Sequence, residues 1–266
     1  MLLAEIHGKS EVSVRDHEDY LTSTVFGHLR YVRPGPFWTG LFSRAITLPI
    51  RGVGESLIQI LGEEFEISRY EFVNVYFWPR CPGLGEPELA ICFTGGSQRP
   101  LVILTEIKLW SAKSGFGEHD QLMRYLRIAD SIHLLLPAVP KNPKTVVLYL
   151  TPRAAADEVK ESLIQYGDSD ENRRRLFRVQ WQDVIEAIGN SIDQESEATR
   201  MILNDVREFL RVRQREYVRG FRSAPQIERL RRVGSFYRSS LKFHGFQKVS
   251  GLEQCAVVKG VWRHDN

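Results

Sequence analysis

Residues 101–108 read LVILTEIK, an apolar run that follows Pro100 and ends in Glu106-Ile107-Lys108. Val, Ile and Thr dominate it, and its length suits a buried strand better than a helix. Side chains alternate along a strand, so Glu106 and Lys108 take the same face. Two charges on one face of an apolar strand are costly to bury unless they are paired or bind a metal. The candidate partner is Glu88, in GEPELAICF, which opens a second strand-like run ending at Thr94. Gly95-Gly96-Ser97 supplies the turn that folds the two runs together.

Working outward, residues 70–78 alternate like a third strand, and 145–150 (TVVLYL) and 176–180 read as further strands. A helix is expected over 17–32, N-capped by Asp16, with Leu21, Val25, His28, Leu29 and Val32 on its apolar face and Pro34 and Pro36 ending it. Glu18 falls in its first turn, near that face. Other helices are expected over 55–64, 118–135, 154–166, 181–188 and 195–215. The order predicts an α/β fold: a three-strand meander, a crossover helix, then further strands in a mixed sheet with helices on both faces.

The 266 residues are 42% hydrophobic and 26% charged, which excludes wholesale disorder. Charge is unevenly placed. Residues 196–266 carry fifteen Lys/Arg against seven Asp/Glu, a net +8 that leaves the rest of the chain near −5. The expected organisation is therefore a core over 1–190 and a basic helical appendage over 191–266. Arg211, Arg215, Arg219 and Arg222 make one stripe if the last helix continues. The stripe admits two readings, a track for a nucleic-acid backbone or a solvated surface balanced by Glu208 and Glu216.

Cys81, Cys92 and Cys255 are widely spaced, as free thiols of a reducing compartment are. Met1-Leu2-Leu3-Ala4 precedes Glu5 without a basic leader, and no run approaches the roughly 18 apolar residues that span a bilayer. The expectation is a cytoplasmic protein with no membrane partner. GxSxG, Walker A and strand-linked GxGxxG motifs are missing, and the histidines have no metal-ligand spacing.

Pro87-Glu88, some 18 residues before Glu106-Ile107-Lys108 on the next strand, resembles the core motif of the PD-(D/E)xK, or restriction-endonuclease-like, nuclease superfamily. The likeness covers roughly residues 16–150 and includes an acid on the preceding helix (Glu18) and a polar start to the following one (His119-Asp120-Gln121). The sequence departs from the usual pattern in carrying Glu88 where the family more often has Asp. EDYLTSTVFG and DQLMRY are also similar to stretches of bacterial proteins of this superfamily. The resemblance implies an αβββαβ core, metal-dependent hydrolysis of nucleic acid, with DNA the expected polymer, and a restriction or antiviral role.

On that resemblance Glu88, Glu106 and the Ile107 carbonyl are the expected ligands of Mg²⁺ or Mn²⁺, whose preferred donors are oxygens. Lys108 is the expected group for orienting water and stabilising charge on the phosphate, and Glu18 a further acid for a second ion or a water. Gln121 reads either as a polar residue facing the site or as a solvated first-turn residue, Lys113 as a phosphate contact or a solvated loop lysine, and Tyr125 as core packing. The alternative function is a non-catalytic subunit that keeps the fold and binds nucleic acid or a partner. A double-strand cutter favours a homodimer, and an enzyme hazardous to its host implies a regulatory partner.

Overall fold

The apolar run LVILTEI forms the central strand of the sheet. The computed structural model describes residues 18–49, 52–109, 113–115, 117–136, 139 and 142–217, with backbone only for 214–217 and for the strand residues 241–246 and 260–264. Five strands, β1 (Phe72–Phe77), β2 (Leu89–Thr94), β3 (Leu101–Ile107), β4 (Lys144–Thr151) and β5 (Leu176–Gln180), form one sheet in the order β1-β2-β3-β4-β5. The first three make an antiparallel meander; β4 and β5 then add in parallel. Every residue of β3 is buried, because it has a strand on each side and helices over both faces; such a strand reads as unbroken apolar sequence.

One face is covered by α1 (Glu18–Leu29), α2 (Pro36–Phe42), α8 (Trp181–Ser191) and α9 (Glu197–Tyr217), which contribute Leu21, Trp38, Ile188 and Phe209 to a core shared with Ile103 and Leu148. A short helix, α3 (Leu57–Leu61), adds to that layer. The other face is covered by α4 (Gln121–Asp130), α5 (Ile132–Leu135) and α6 (Ala156–Tyr166), whose Leu122, Tyr125 and Val159 pack on Leu104 and Tyr149. The exposed helix α7 (Asp170–Arg173) precedes β5. Among the described residues no helix is long and apolar enough to cross a membrane.

Four expectations change. Pro36 does not merely end the first helix: it occupies the start of α2, where its missing N–H leaves no intrahelical bond unmade. The helix expected over 118–135 is interrupted. Asp120 caps α4 by accepting from the Met123 N–H at 2.9 Å, and Ser131 separates α4 from α5. The boundary expected at 190/191 falls within a compact unit that runs to Gln214, because Leu203, Val206, Phe209 and Leu210 of α9 belong to the core. In the second unit, residues 215–266, the described strands β6 (Leu241–Phe246) and β7 (Gly260–His264) pair antiparallel rather than forming helix. Asp16, Arg219 and Arg222 lie outside the described residues.

Candidate metal centre

The β2–β3 register pairs Leu89 with Thr105 and Ala90 with Leu104. Continued by one residue, it sets Glu88 directly opposite Glu106 on the same face. Like charges in that relation destabilise a sheet. The first turn of α1 brings Glu18 to the same point, and one oxygen from each of Glu18, Glu88 and Glu106 lies within 4.8 Å of the others.

Lys108 enters this acidic group two residues beyond Glu106, just past the end of β3. Its Nζ is 2.5 Å from Glu106 Oε1 and 3.2 Å from Glu18 Oε1. Its backbone is fixed on both sides: the N–H donates to Leu150 O at 2.9 Å, and the carbonyl accepts from Trp181 Nε1 at 3.1 Å. Glu18 is oriented by the Leu109 N–H, which donates to Oε2 at 2.9 Å. Glu106 is fully buried and Lys108 is 7% exposed. Three carboxylates against one ammonium leave two negative charges in excess when all are ionised.

Tyr125 crosses from α4 to Glu106. Its hydroxyl lies 2.7 Å from Glu106 Oε2 and 2.9 Å from the Glu86 carbonyl; it has one proton, and the shorter contact to the more negative acceptor takes it. Gln121, one helical turn earlier, donates from Nε2 to the Tyr125 hydroxyl at 3.2 Å and accepts from Ser114 Oγ at 2.9 Å. Glu106 Oε1 faces the Lys108 ammonium, so the two oxygens of this carboxylate are held by different elements, one by β3's own end and one by α4.

Trp78 holds Glu88, its indole Nε1 donating to Oε2 at 2.9 Å. It does so with φ at 46°, a left-handed backbone that costs a bulky residue about 1–3 kcal/mol and clusters at functional sites.

These surroundings shift the ionisations. Burial, reinforced by the Glu106 charge, pushes the Glu88 carboxyl up to about 7, against the Trp78 hydrogen bond. Burial also raises Glu106, while Lys108 and Tyr125 oppose it. For Lys108, burial disfavours the ammonium, but Glu106 and Glu18 outweigh it and the pKa rises. Burial and the neighbouring Glu106 raise the Tyr125 hydroxyl, keeping it protonated.

Of the residues singled out in the sequence, Glu18, Glu88, Glu106 and Lys108 come together. Ile107 lies between two of them with its side chain in the core, so only its backbone can serve the site. Gln121 reaches the group indirectly, through Tyr125. Lys113 departs from the loop-cation expectation: its side chain is 3% exposed, paired with Asp120 and 3.6 Å from Glu161, so it ties the loop down. Arg211 lies on α9, paired at 2.8 Å with Glu208, and it makes no contact with the carboxylates. The Arg215 side chain falls outside the described residues.

Two participants escaped sequence reasoning. Tyr125 shares an apolar helix face with Leu122 and Leu126 and reads as core; the usable signal was that a buried tyrosine hydroxyl needs a partner. Trp78 extends the alternation of β1, but only the β1–β2 register aligns it with Glu88. Comparison with protein-family models, with curated proteins and with solved structures finds no match to this chain.

Proposed function

We propose that the protein is a metal-dependent endonuclease acting on DNA, with a restriction-endonuclease-like core. The supporting observation is the convergence of Glu18, Glu88 and Glu106 around a lysine two residues beyond Glu106. The all-oxygen donor set, with an excess of two negative charges once all three carboxylates are ionised, fits a hard divalent cation. Helices α1 to α3, a three-strand meander, helices α4 and α5 and a parallel strand support reading an αβββαβ core here, with α2, α3 and α5 as additions to it. Restriction or antiviral defence is the proposed setting, with a homodimer or a regulatory partner controlling the activity.

Glu88 and Glu106, with the Ile107 carbonyl, would hold Mg²⁺ or Mn²⁺. Such an ion, when bound, lowers the pKa of water and offsets charge on the phosphate. Lys108 stays cationic at neutral pH and offers hydrogen-bond donors to the attacking water and to the phosphoryl oxygens. Glu18 positions Lys108. Tyr125 orients Glu106 and favours its anionic form, as outer-shell partners of ligating carboxylates do.

The test is nicking of supercoiled plasmid and cutting of single-stranded circular DNA with Mg²⁺, Mn²⁺ or EDTA. Cleavage is expected with either metal, none with EDTA, and none in Glu106→Gln. Cutting that persists in Glu106→Gln removes the reading. Salt-sensitive DNA binding without cleavage under any condition leaves the non-catalytic alternative.

Tyr125→Phe keeps the buried ring and removes the hydroxyl. It is expected to weaken Mg²⁺ binding about 10-fold, read by titrating Mg²⁺ against thermal unfolding. An unchanged Mg²⁺ midpoint reduces Tyr125 to packing alone.

A further inference from the structure

β1 is an outer strand of the sheet, and its two faces differ. Val73, Val75 and Phe77 pack against the core, whereas Phe72, Asn74 and Tyr76 face outward. The register pairs Tyr76 with Ala90 and Asn74 with Cys92, and both partners belong to the core layer of Leu104 and Tyr125. Phe72, Tyr76 and Trp78 therefore lie on the sheet face that carries Glu88 and Glu106. The helices on that face pack over the inner strands and leave these rings uncovered: Phe72 is 57%, Tyr76 39% and Trp78 36% exposed. Soluble proteins ordinarily protect an edge strand with charges or prolines, not with a line of bare aromatics.

The line has a direction. Its last member, Trp78, donates to Glu88, so it ends at the candidate metal centre. Cations stand at its two ends. Arg80 borders a cavity of about 520 Å³ at Tyr76; at the other end Arg30 and Arg33, just beyond α1, line with Phe72 and Val73 a cavity of about 590 Å³ at the strand's outer edge. Glu71 also lines the larger cavity, and its carboxylate accepts from the Gly96 N–H at 3.2 Å.

We infer that β1 is a stacking platform for a single-stranded stretch of nucleic acid, laid across Phe72, Tyr76 and Trp78 and led toward the carboxylates. Exposed rings stack on unpaired bases with little regard to sequence while arginines follow the backbone. A duplex keeps its base faces inside the helix, so the platform selects unpaired strands. The inference rests on the nuclease reading for what happens at the end of the row, although binding along the row does not require cleavage.

The experiment uses the full chain in EDTA, where no cutting occurs, and fluorescence anisotropy with a labelled oligothymidylate of about 15 nucleotides and a blunt duplex of equal length. The single strand is expected to bind at least about 10-fold tighter than the duplex. Phe72→Ala and Tyr76→Ala are each expected to weaken it about 10-fold, and Tyr76→Phe to leave it unchanged. Both side chains are exposed enough for these changes to leave folding intact. Equal affinity for the two forms, or alanine variants that bind like the parent, overturns the platform. So does concentration-dependent self-association in sedimentation velocity that Phe72→Ala abolishes while DNA binding is unaffected, since the row is then a contact between copies. A retained single-strand preference with no metal-dependent cleavage removes the nuclease reading alone; plasmid cutting with indifferent Phe72 and Tyr76 variants removes the platform alone.

Discussion

Lys108→Met is expected to lower metal-dependent cleavage by about 10²–10³-fold and to destabilise the metal-free protein by about 3 kcal/mol. Methionine preserves much of the apolar stem, so the loss is that of the ammonium. In the folded chain this group lies between Glu106 and Glu18 and is itself 7% exposed. Its removal leaves the fully buried Glu106 facing Glu18 and Glu88 with no cation among them. Breaking a buried pair in this way typically costs about 3–5 kcal/mol. The lower end applies because burial already favours a protonated Glu106, which relieves part of the repulsion.

Mg²⁺ restores stability to Lys108→Met if the carboxylates bind it, since a ligand selective for the native state stabilises by mass action. Denaturant titrations with and without Mg²⁺, beside plasmid nicking rates, separate the roles. A purely structural ion pair predicts lost stability with undiminished cleavage per folded molecule. A group acting on water and phosphate predicts that cleavage stays low after Mg²⁺ has restored the fold.

Glu88→Gln is expected to have opposite effects on stability and activity. The Glu88 carboxyl is pushed from its ordinary 4.5 up to about 7 in the fold. Between those values the native protein holds a proton that the unfolded chain has released, so stability falls as pH rises through the window and stays low above it. Glutamine removes that liability and still accepts the Trp78 hydrogen bond. At pH 8 without metal the variant should be more stable than the parent by about 1–2 kcal/mol, after allowing for solvent screening at this half-buried position. At pH 4 the two should be equal. Mg²⁺ should stabilise the parent but not the variant, and cleavage should be lost. Because a ligating carboxylate must be deprotonated, Mg²⁺ affinity of the parent should climb with pH up to about 7. Urea midpoints at the two pH values, with and without Mg²⁺, read all of this. Parallel pH dependence in parent and variant means that Glu88 is not the strained group. Gaining stability by removing an active-site charge is a recurrent trade-off.

The three strands of the meander, the crossover helix and the parallel addition of β4 were legible because each is a local pattern. LVILTEIK is unbroken apolar sequence because β3 is covered on both faces; β1 alternates because it lies at an edge. The juxtaposition of Glu88 and Glu106 was legible too, since a turn and strict two-residue alternation set both the register and the face. Residues on neighbouring strands are related by counting.

Residues brought together by helix packing are not. Glu18 reaches Lys108 across 90 positions only because α1 docks its apolar stripe on the sheet and swings its first turn over the end of β3. Tyr125 is indistinguishable in sequence from the leucines beside it, and only the placement of α4 over Glu106 gives its hydroxyl an acceptor. Lys113 is unremarkable as a loop lysine until Asp120, freed by capping α4 with one oxygen, takes it with the other. The reach of the compact unit to Gln214 is hidden for the same reason. A high density of arginine marks the charge of a surface, whereas Leu203, Val206, Phe209 and Leu210 decide where α9 packs. Alternation along the chain determined which side chains share a face; only the packing of helices onto the sheet decided which faces meet, because burial of apolar area is non-directional and its outcome depends on every layer at once.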